Sequence, residues 1–184
     1  MTSARWKFFL DYEKEEKWLN DMSAKGFAFR DYCFGRYTFT DSEPGEYIYR
    51  IELLQNYPGH PESRKYIGFM EANGVEAVAS WFAWVYFRKK AQDGSFDIYS
   101  DIESRLIHFR RVATTYLTLG ILASLFGLNA SLQWLFQTWE TPDFLPLLLA
   151  SPLLLCLGGA CLFLWNGKRK TIKRLKQEQR LKES

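Results

Sequence analysis

The sequence has few cysteines and histidines, and this scarcity argues against several classes of site. Among its 184 residues are three cysteines, Cys33, Cys156 and Cys161, and two histidines, His60 and His108. The cysteines show no CxxC spacing and their number is odd, so neither a disulfide scaffold nor a zinc ribbon is expected. The histidines lie far apart in sequence and have no partner at metal-ligand spacing.

Catalytic motifs are also lacking. The chain contains no GxGxxG, Walker-type or HExxH pattern, and its two histidines give no basis for a Ser-His-Asp or Cys-His set. Glu13, Glu15 and Glu16 cluster at the start of a predicted helix. Such a cluster could bind a metal, but its usual explanation is favourable interaction with the helix dipole. We expect no catalytic residue, no metal site and no cofactor, and hence no enzymatic activity.

Charge is missing from two long stretches. Residues 112–136 form a run of 25 residues without a charged side chain, and residues 144–165 form one of 22. A helix needs about 20 mostly apolar residues to cross a bilayer. A domain built from the remaining residues could not surround two helices that are apolar on every face. The sequence therefore predicts a two-helix transmembrane hairpin, with spans at 112–136 and 144–166 and an external loop at 137–143.

Basic residues flank these stretches and predict their orientation. Residues 1–104 carry 13 basic and 17 acidic side chains, whereas residues 105–184 carry 11 basic and 4 acidic ones. Because Lys and Arg near span ends stay on the cytoplasmic side, we expect a two-pass plasma-membrane protein with both termini in the cytoplasm. The bases that set this orientation are Arg105, Arg110, Arg111, Lys168, Arg169, Lys170, Lys173, Arg174 and Lys176.

The two ends of the chain fit this topology. The N-terminal apolar stretch stops at Leu10 and is followed by charged residues, so no signal peptide is expected. The basic tail at 167–184 resembles a nucleic-acid patch in composition. Directly after a span, however, its expected partner is the anionic lipid bilayer and not nucleic acid.

The first 100 residues alternate strand-like and helix-like segments. Asp11 can cap a first helix and Gly26 can end it, and Pro61 begins a second helix. The order of segments is strand (5–10), helix, three strands, helix, two strands. This order predicts a cytoplasmic α+β domain over 1–100, loosely ferredoxin-like, in which two helices cover one face of a mainly antiparallel sheet. Residues 101–111 are predicted to be a helical linker to the first span.

The predicted strands are rich in aromatic residues, which allows two interpretations. Aromatic side chains are favoured in strands and can simply form the sheet core. Alternatively, an exposed aromatic face binds a protein partner or an apolar ligand. The residues proposed for such a partner-binding face are Arg36, Tyr37, Tyr47, Tyr49, Arg50 and Trp84. In the first span, Ala123, Gly127 and Ser131 form a small-xxx-small pattern that could support a homo-oligomer or docking to other helices.

Four segments resemble a known family. They are EKWLNDMSAKGF at 16–27, RYTF at 36–39, PGEYIYR at 44–50 and WVYFRKK at 84–90. Together with the terminal pair of spans, they are similar to the DUF2812 family over roughly residues 5–110. The resemblance implies a bacterial membrane protein of unknown function, found mostly in Firmicutes and often encoded beside PadR-like transcriptional regulators. It carries over no catalytic residues.

Three functions remain open from the sequence. The first is a membrane-anchored cytoplasmic binding or sensory module, linked to a PadR-like regulator as the resemblance implies. The second is a small structural subunit of a membrane complex for transport or envelope stress. The third, which the lack of catalytic motifs disfavours, is an enzyme that acts on lipid at the cytoplasmic surface.

Overall fold

The computed structural model describes residues 2–99, 101–136 and 144–183. The chain divides into two compact units, Met1–Ser100 and Asp101–Ser184. The second unit contains both uncharged stretches. The predicted external loop at 137–143 lies outside the described residues.

The N-terminal unit contains strands and helices in the order that the sequence predicts. Within residues 2–99 the elements are β1 (Thr2–Trp6), α1 (Tyr12–Ala24), β2 (Phe27–Cys33), β3 (Arg36–Asp41), β4 (Tyr47–Leu53), α2 (Pro61–Ala72), β5 (Glu76–Trp81) and β6 (Trp84–Lys90), followed by a short 3₁₀ turn at Ala91–Asp93. The mixed α and β character is therefore confirmed. The first strand begins earlier than predicted, because residues 2–6 are the ones that pair with β3.

The strands form two three-stranded antiparallel sheets, with strand orders β1-β3-β2 and β4-β6-β5. The prediction of one sheet was wrong. Strands β2 and β5 lie next to each other but are not paired. Each carries a register shift, between Phe29 and Asp31 in β2 and between Ala77 and Ala79 in β5. Because a bulge bends its strand and leaves ladder groups unpaired, the sheet is interrupted where the two bulged strands meet.

The N-terminal unit is an internal repeat that the sequence analysis did not detect. Each half has the order strand, helix, strand, strand, and the two sheets have the same topology. The bulges are 48 positions apart, as are the buried Met22 and Met70 and the positive-φ glycines Gly26 and Gly74. Few residues are identical between the halves, so the repeat is visible mainly in the strand pairing and in the constant offset of 48 residues.

Helix ends follow the predicted signals. The Asp11 side chain accepts a hydrogen bond from the Glu13 N–H at the start of α1, and Gly26, with φ of 83°, follows the end of that helix. Pro61 lies at the first position of α2, where its missing N–H costs little. These local signals fix the ends of both helices and therefore the side chains that α1 presents to the sheets.

The second unit consists of two long helices, α3 (Ile102–Phe136) and α4 (Phe144–Glu183). They are antiparallel, because Phe109 packs near Leu175 at one end and Gly127 lies against Leu155 farther along. The predicted linker and first span form one continuous helix, as do the second span and the basic tail. Both helices are long and apolar enough to cross a membrane, by length and composition.

Small residues let α3 and α4 approach closely. A Cβ added at Gly120 would lie 2.9 Å from Leu162 Cγ, and one added at Gly127 would lie 2.9 Å from Leu155 Cγ. Leu155 therefore covers the middle of the predicted small-xxx-small stripe from within the hairpin. Oligomerisation through the remainder of that stripe stays a prediction.

Two adjacent glycines of α4 provide a test of this packing. A Cβ at Gly158 would meet the backbone of Ser124 and Gly120 at 3.0 and 3.1 Å, whereas at Gly159 nothing lies within 4 Å. We expect Gly158→Ala to destabilise the hairpin by roughly 1–3 kcal/mol through overpacking. Gly159→Ala should be neutral or stabilising by up to about 1 kcal/mol through helix propensity. Thermal unfolding of the full chain in detergent, followed by circular dichroism, measures both. Equal melting temperatures would contradict the close approach.

Candidate functional site

A buried carboxylate lies where α1 meets both sheets. Glu15 is on α1, and its Oε1 accepts hydrogen bonds from the hydroxyl groups of Tyr37 and Tyr86, each at 2.6 Å. Tyr37 is on β3 of the first sheet and Tyr86 is on β6 of the second sheet. All three side chains are buried. One carboxylate oxygen therefore connects three elements of the N-terminal unit.

Burial changes the ionisation of this cluster. Burial raises the pKa of Glu15 above its usual range, and the hydrogen bonds from Tyr37 and Tyr86 lower the pKa only in part. Burial, followed by the nearby Glu15 carboxylate, raises the pKa of both tyrosines. The tyrosine hydroxyls therefore remain protonated and act as donors, and Glu15 binds its proton more tightly than an exposed glutamate does.

Glu15 lies in the first turn of α1, where interaction with the helix dipole is expected from the sequence, but its burial was not predicted. Tyr12, Leu19 and Met22 are buried on α1 together with Glu15. Their spacing of three and four residues marks one helix face, and Glu15 lies on it. The spacing of Glu15 relative to the apolar residues of this face could have indicated its burial. The neighbouring Glu13 and Glu16 made it look like part of a surface cluster.

Side chains of the second sheet also bind the backbone of the first. The Phe29 N–H on β2 donates to the Tyr49 hydroxyl oxygen at 2.8 Å, and Arg88 Nη1 donates to the Phe29 carbonyl at 3.3 Å. The buried Arg88 guanidinium is itself paired with Glu76 at 2.7 Å. These bonds satisfy the backbone N–H and carbonyl of Phe29 at the bulge. They also join the two sheets where strands are not paired.

A second glutamate attaches α1 to β4. Glu16 Oε2 accepts from the Ile51 N–H at 2.9 Å, and Glu16 Oε1 is 3.2 Å from Arg50 Nη1. Burial raises the pKa of Glu16, and the hydrogen bond from the Ile51 N–H and the charge of Arg50 reduce this increase. Arg50, one of the predicted binding-face residues, therefore has a structural partner within the unit.

The other predicted binding-face residues do not share one surface. Tyr37 and Tyr49 are buried in the core, so their side chains cannot contribute to an exposed face, because both sheets and α1 cover them. Tyr47 lies under the Arg88 guanidinium, with 4.4 Å from Cζ to the ring centroid, and Trp84 packs on Tyr12 at 5.1 Å between ring centroids. Arg36 is exposed. Whether Arg36, Tyr47 or Trp84 binds a partner stays a prediction.

Aromatic rings form a continuous path from the surface to Glu15. The exposed Phe82 ring contacts Trp81, with centroids 5.3 Å apart, and Trp81 contacts the half-buried Tyr32 at 5.7 Å. Tyr32 in turn packs on Tyr37 at 4.8 Å and on Tyr86 at 5.5 Å. Tyr32 is therefore the residue that separates the surface aromatics from the carboxylate cluster.

The chemistry of this path favours a cation. Aromatic ring faces attract cationic groups, most strongly when water is excluded, and the path ends at an acidic side chain. Among the described residues, no group of three His, Cys, Asp or Glu side chains is placed to hold a metal ion. Aromatic rings next to a carboxylate are the chemistry that an organic cation with apolar groups would contact.

The pH dependence of stability tests the burial of Glu15. Its folded-state pKa is raised, so the folded protein binds a proton that the unfolded chain releases, and the Glu15 contribution decreases as pH rises above about 4.5. Glu15→Gln keeps an acceptor for the tyrosines but cannot ionise. We expect the variant to gain stability relative to wild type between pH 5 and 8, as measured by thermal melting followed by tryptophan fluorescence.

Glu13→Gln on the exposed side of α1 is the matched control and should show no such trend. A wild-type protein that becomes more stable than Glu15→Gln as pH rises would contradict a raised pKa at Glu15.

A family model described as a protein of unknown function (DUF2812) matches residues 11–121. The match covers more than half of the chain and extends from the start of α1 into α3. No curated protein and no solved structure matches the chain.

Proposed function

The chain belongs to the DUF2812 family, and we propose that it is a two-pass membrane protein whose N-terminal unit is a cytoplasmic binding module for lipophilic organic cations. The carrying observation is the aromatic path that ends at the buried Glu15 carboxylate. The second unit anchors this module to the bilayer. No activity is established for the family, so each part of the proposal has its own test.

The exposed surface of the hairpin supports membrane anchoring. Leu125, Leu153 and Phe163 are 59, 71 and 78% exposed within regions that lack charge. Apolar side chains this exposed on uncharged helices require an apolar solvent. A hydrocarbon bilayer supplies it along the uncharged part of each helix.

The orientation follows from basic residues near the ends of the uncharged runs. Arg110 and Arg111 precede the first run, and Lys168, Arg169 and Lys170 follow the second. Positive flanks stay cytoplasmic, so the N-terminal unit and the tail are placed inside the cell and residues 137–143 outside. The expected location is the plasma membrane.

Topology reporters test the orientation. A reporter fused before Met1 or after Ser184 should indicate the cytoplasm, and one inserted at Glu140 should indicate the exterior, because the bases anchor both inner ends. Exchanging the six tail bases at 168–176 for glutamine, with three lysines added to the loop, should give mixed orientation. Replacing Glu140 and Asp143 by amides should change nothing. A cytoplasmic loop in the wild type would refute the orientation.

Entry of a ligand to Glu15 requires Tyr32 to move. Tyr32 lies between Trp81 and the carboxylate cluster, and it is held by ring contacts with Tyr37 and Tyr86. Rotation of the Tyr32 ring would expose the ring faces of Tyr37 and Tyr86, whose hydroxyl groups bind the Glu15 carboxylate. An organic cation then exchanges contact with Tyr32 for contact with the remaining rings, and its charge compensates the buried Glu15 charge.

Tetraphenylphosphonium is a suitable probe because its permanent positive charge is surrounded by four apolar phenyl groups. We expect it to raise the melting temperature of the full chain in detergent, and its affinity to increase as pH rises through the raised pKa of Glu15. Glu15→Gln should weaken binding on the order of tenfold through loss of the charge partner. Isothermal titration calorimetry measures the dissociation constants.

Glu13→Gln is again the control and should bind as wild type does. The neutral analogue triphenylmethane, added at its solubility limit, should produce no shift in melting temperature. Equal affinity of Glu15→Gln and wild type for the cation would contradict the proposed site, even if the chain proves to be a membrane protein.

The alternative function is that of a small structural subunit of a membrane complex. Exposed apolar side chains along the hairpin, such as Leu125 and Phe163, can contact other helices as well as lipid. A stoichiometric membrane partner recovered from solubilised membranes would favour this alternative. Regulation through a PadR-like transcriptional regulator remains part of the binding proposal, as the signal output of the module.

A further inference from the structure

Exposed aromatic rings lie together where turns of both sheets meet. Phe8, Phe34 and Phe82 are 70, 67 and 81% exposed. Ring centroids are 6.0 Å apart for Phe8 and Phe34, 6.2 Å for Phe34 and Trp81, and 5.3 Å for Trp81 and Phe82. These four rings form one contiguous surface, the aromatic tip. Contiguous apolar surface of this kind marks an interaction site.

The backbone at this tip is unfavourable for the residues that it carries. Phe34 and Phe82 have φ of 43° and 51°, in two-residue turns between β2 and β3 and between β5 and β6. Such positions favour Gly, Asn or Asp. Burial does not compensate, because both phenylalanine rings are exposed. The same residue in the same conformation at both turns, 48 positions apart, indicates that the rings are held outward for a contact outside the unit.

The charges at the tip have one sign. The segments that form it, 6–10, 32–37 and 80–85, contain two charged side chains, Lys7 and Arg36, and both are basic. The remainder of residues 1–100 is acidic on balance. The following acidic residue, Asp11, caps α1 through the Glu13 N–H. Exposed aromatic rings combined with Lys and Arg are the composition of protein surfaces that enter the interface of anionic membranes.

The shape of the tip also favours lipid over a folded partner. Phe34 and Phe82 project from the two turns and Phe8 from the connection between β1 and α1, so a fluid interface can surround these exposed rings. The chain reaches the first uncharged run at residue 112, which keeps the N-terminal unit near a bilayer if the hairpin spans one.

We propose that the aromatic tip inserts into the headgroup layer of an anionic bilayer. The rings of Phe8, Phe34, Trp81 and Phe82 enter the boundary between headgroups and acyl chains, and Arg36 meets lipid phosphates. This inference goes beyond cation binding and holds whether or not Glu15 has a ligand. It rests on the proposed hairpin anchor only for the local concentration of lipid.

Site-specific labelling of the full chain tests the insertion. The natural cysteines are removed as Cys33→Ser, Cys156→Ala and Cys161→Ala, and a single environment-sensitive fluorophore is attached at Phe82→Cys. Glu43→Cys is the matched control, because Glu43 is exposed and follows the end of β3 that lies away from the tip. Each protein is reconstituted at one chain per nanodisc, in phosphatidylcholine with or without phosphatidylglycerol and with nitroxide-labelled lipid as quencher.

The expected result is strong quenching at position 82 in anionic nanodiscs, weaker quenching in neutral ones, and none at position 43. Absence of lipid quenching at position 82 overturns the proposal. This includes an outcome in which the fluorophore reports a dry environment without quenching, because a second copy or another part of the chain then covers the tip. Equal quenching in neutral and anionic discs overturns the role of anionic lipid.

Two further variants separate insertion from folding. Arg36→Gln in the 82-labelled chain should weaken anionic-lipid contact about fivefold, the contribution of one base near such a surface. Lys25→Gln, an exposed base at the end of α1, should not. Phe34→Asn suits the positive φ and should reduce quenching at 82 while the melting temperature is retained. Undiminished quenching in Arg36→Gln and Phe34→Asn would overturn the assigned roles of these residues.

Discussion

The N-terminal unit depends on the hydrogen bonds that the Glu15 carboxylate accepts. This carboxylate accepts a bond from a tyrosine of each sheet, and the two sheets share no strand ladder. Tyr49 and Arg88 add bonds to the Phe29 backbone. Because these bonds lie in a low-dielectric interior, each is strong when made and costly when one partner is lost. Side-chain hydrogen bonds therefore join the two sheets, whereas backbone pairing joins the strands of a continuous sheet.

The two halves of the internal repeat differ at this junction. The position 48 residues after Glu15 is Ser63, which is also buried and donates to the Asn56 carbonyl. Both halves thus have a buried polar side chain at this position of their helix, but only α1 has a carboxylate there. The charge lies at the end of the aromatic path, so the divergence between the halves coincides with the proposed binding chemistry.

The two proposed contacts of the N-terminal unit are compatible because Trp81 belongs to both. Its ring contacts Phe82 at the tip and Tyr32 on the path to Glu15. A lipophilic cation concentrates at an anionic membrane interface, where hydrophobic and electrostatic attraction act together. A tip placed in that interface would present the start of the path to such a ligand. The proposed membrane hairpin would keep the unit close to the bilayer.

The sequence by itself determined the periodic and the charge-based features of this protein. The two long helices, the caps at Asp11 and Gly26, the order of strands and helices and the family were all predictable, because each depends on local composition or spacing. The division into two sheets was not, since it depends on bulges at Phe29 and Ala77 that have no clear sequence signal. The burial of Glu15 was decided by tertiary structure as well. Its partners, Tyr37 and Tyr86, are distant in sequence, and only the packing of both sheets on α1 removes all three groups from water.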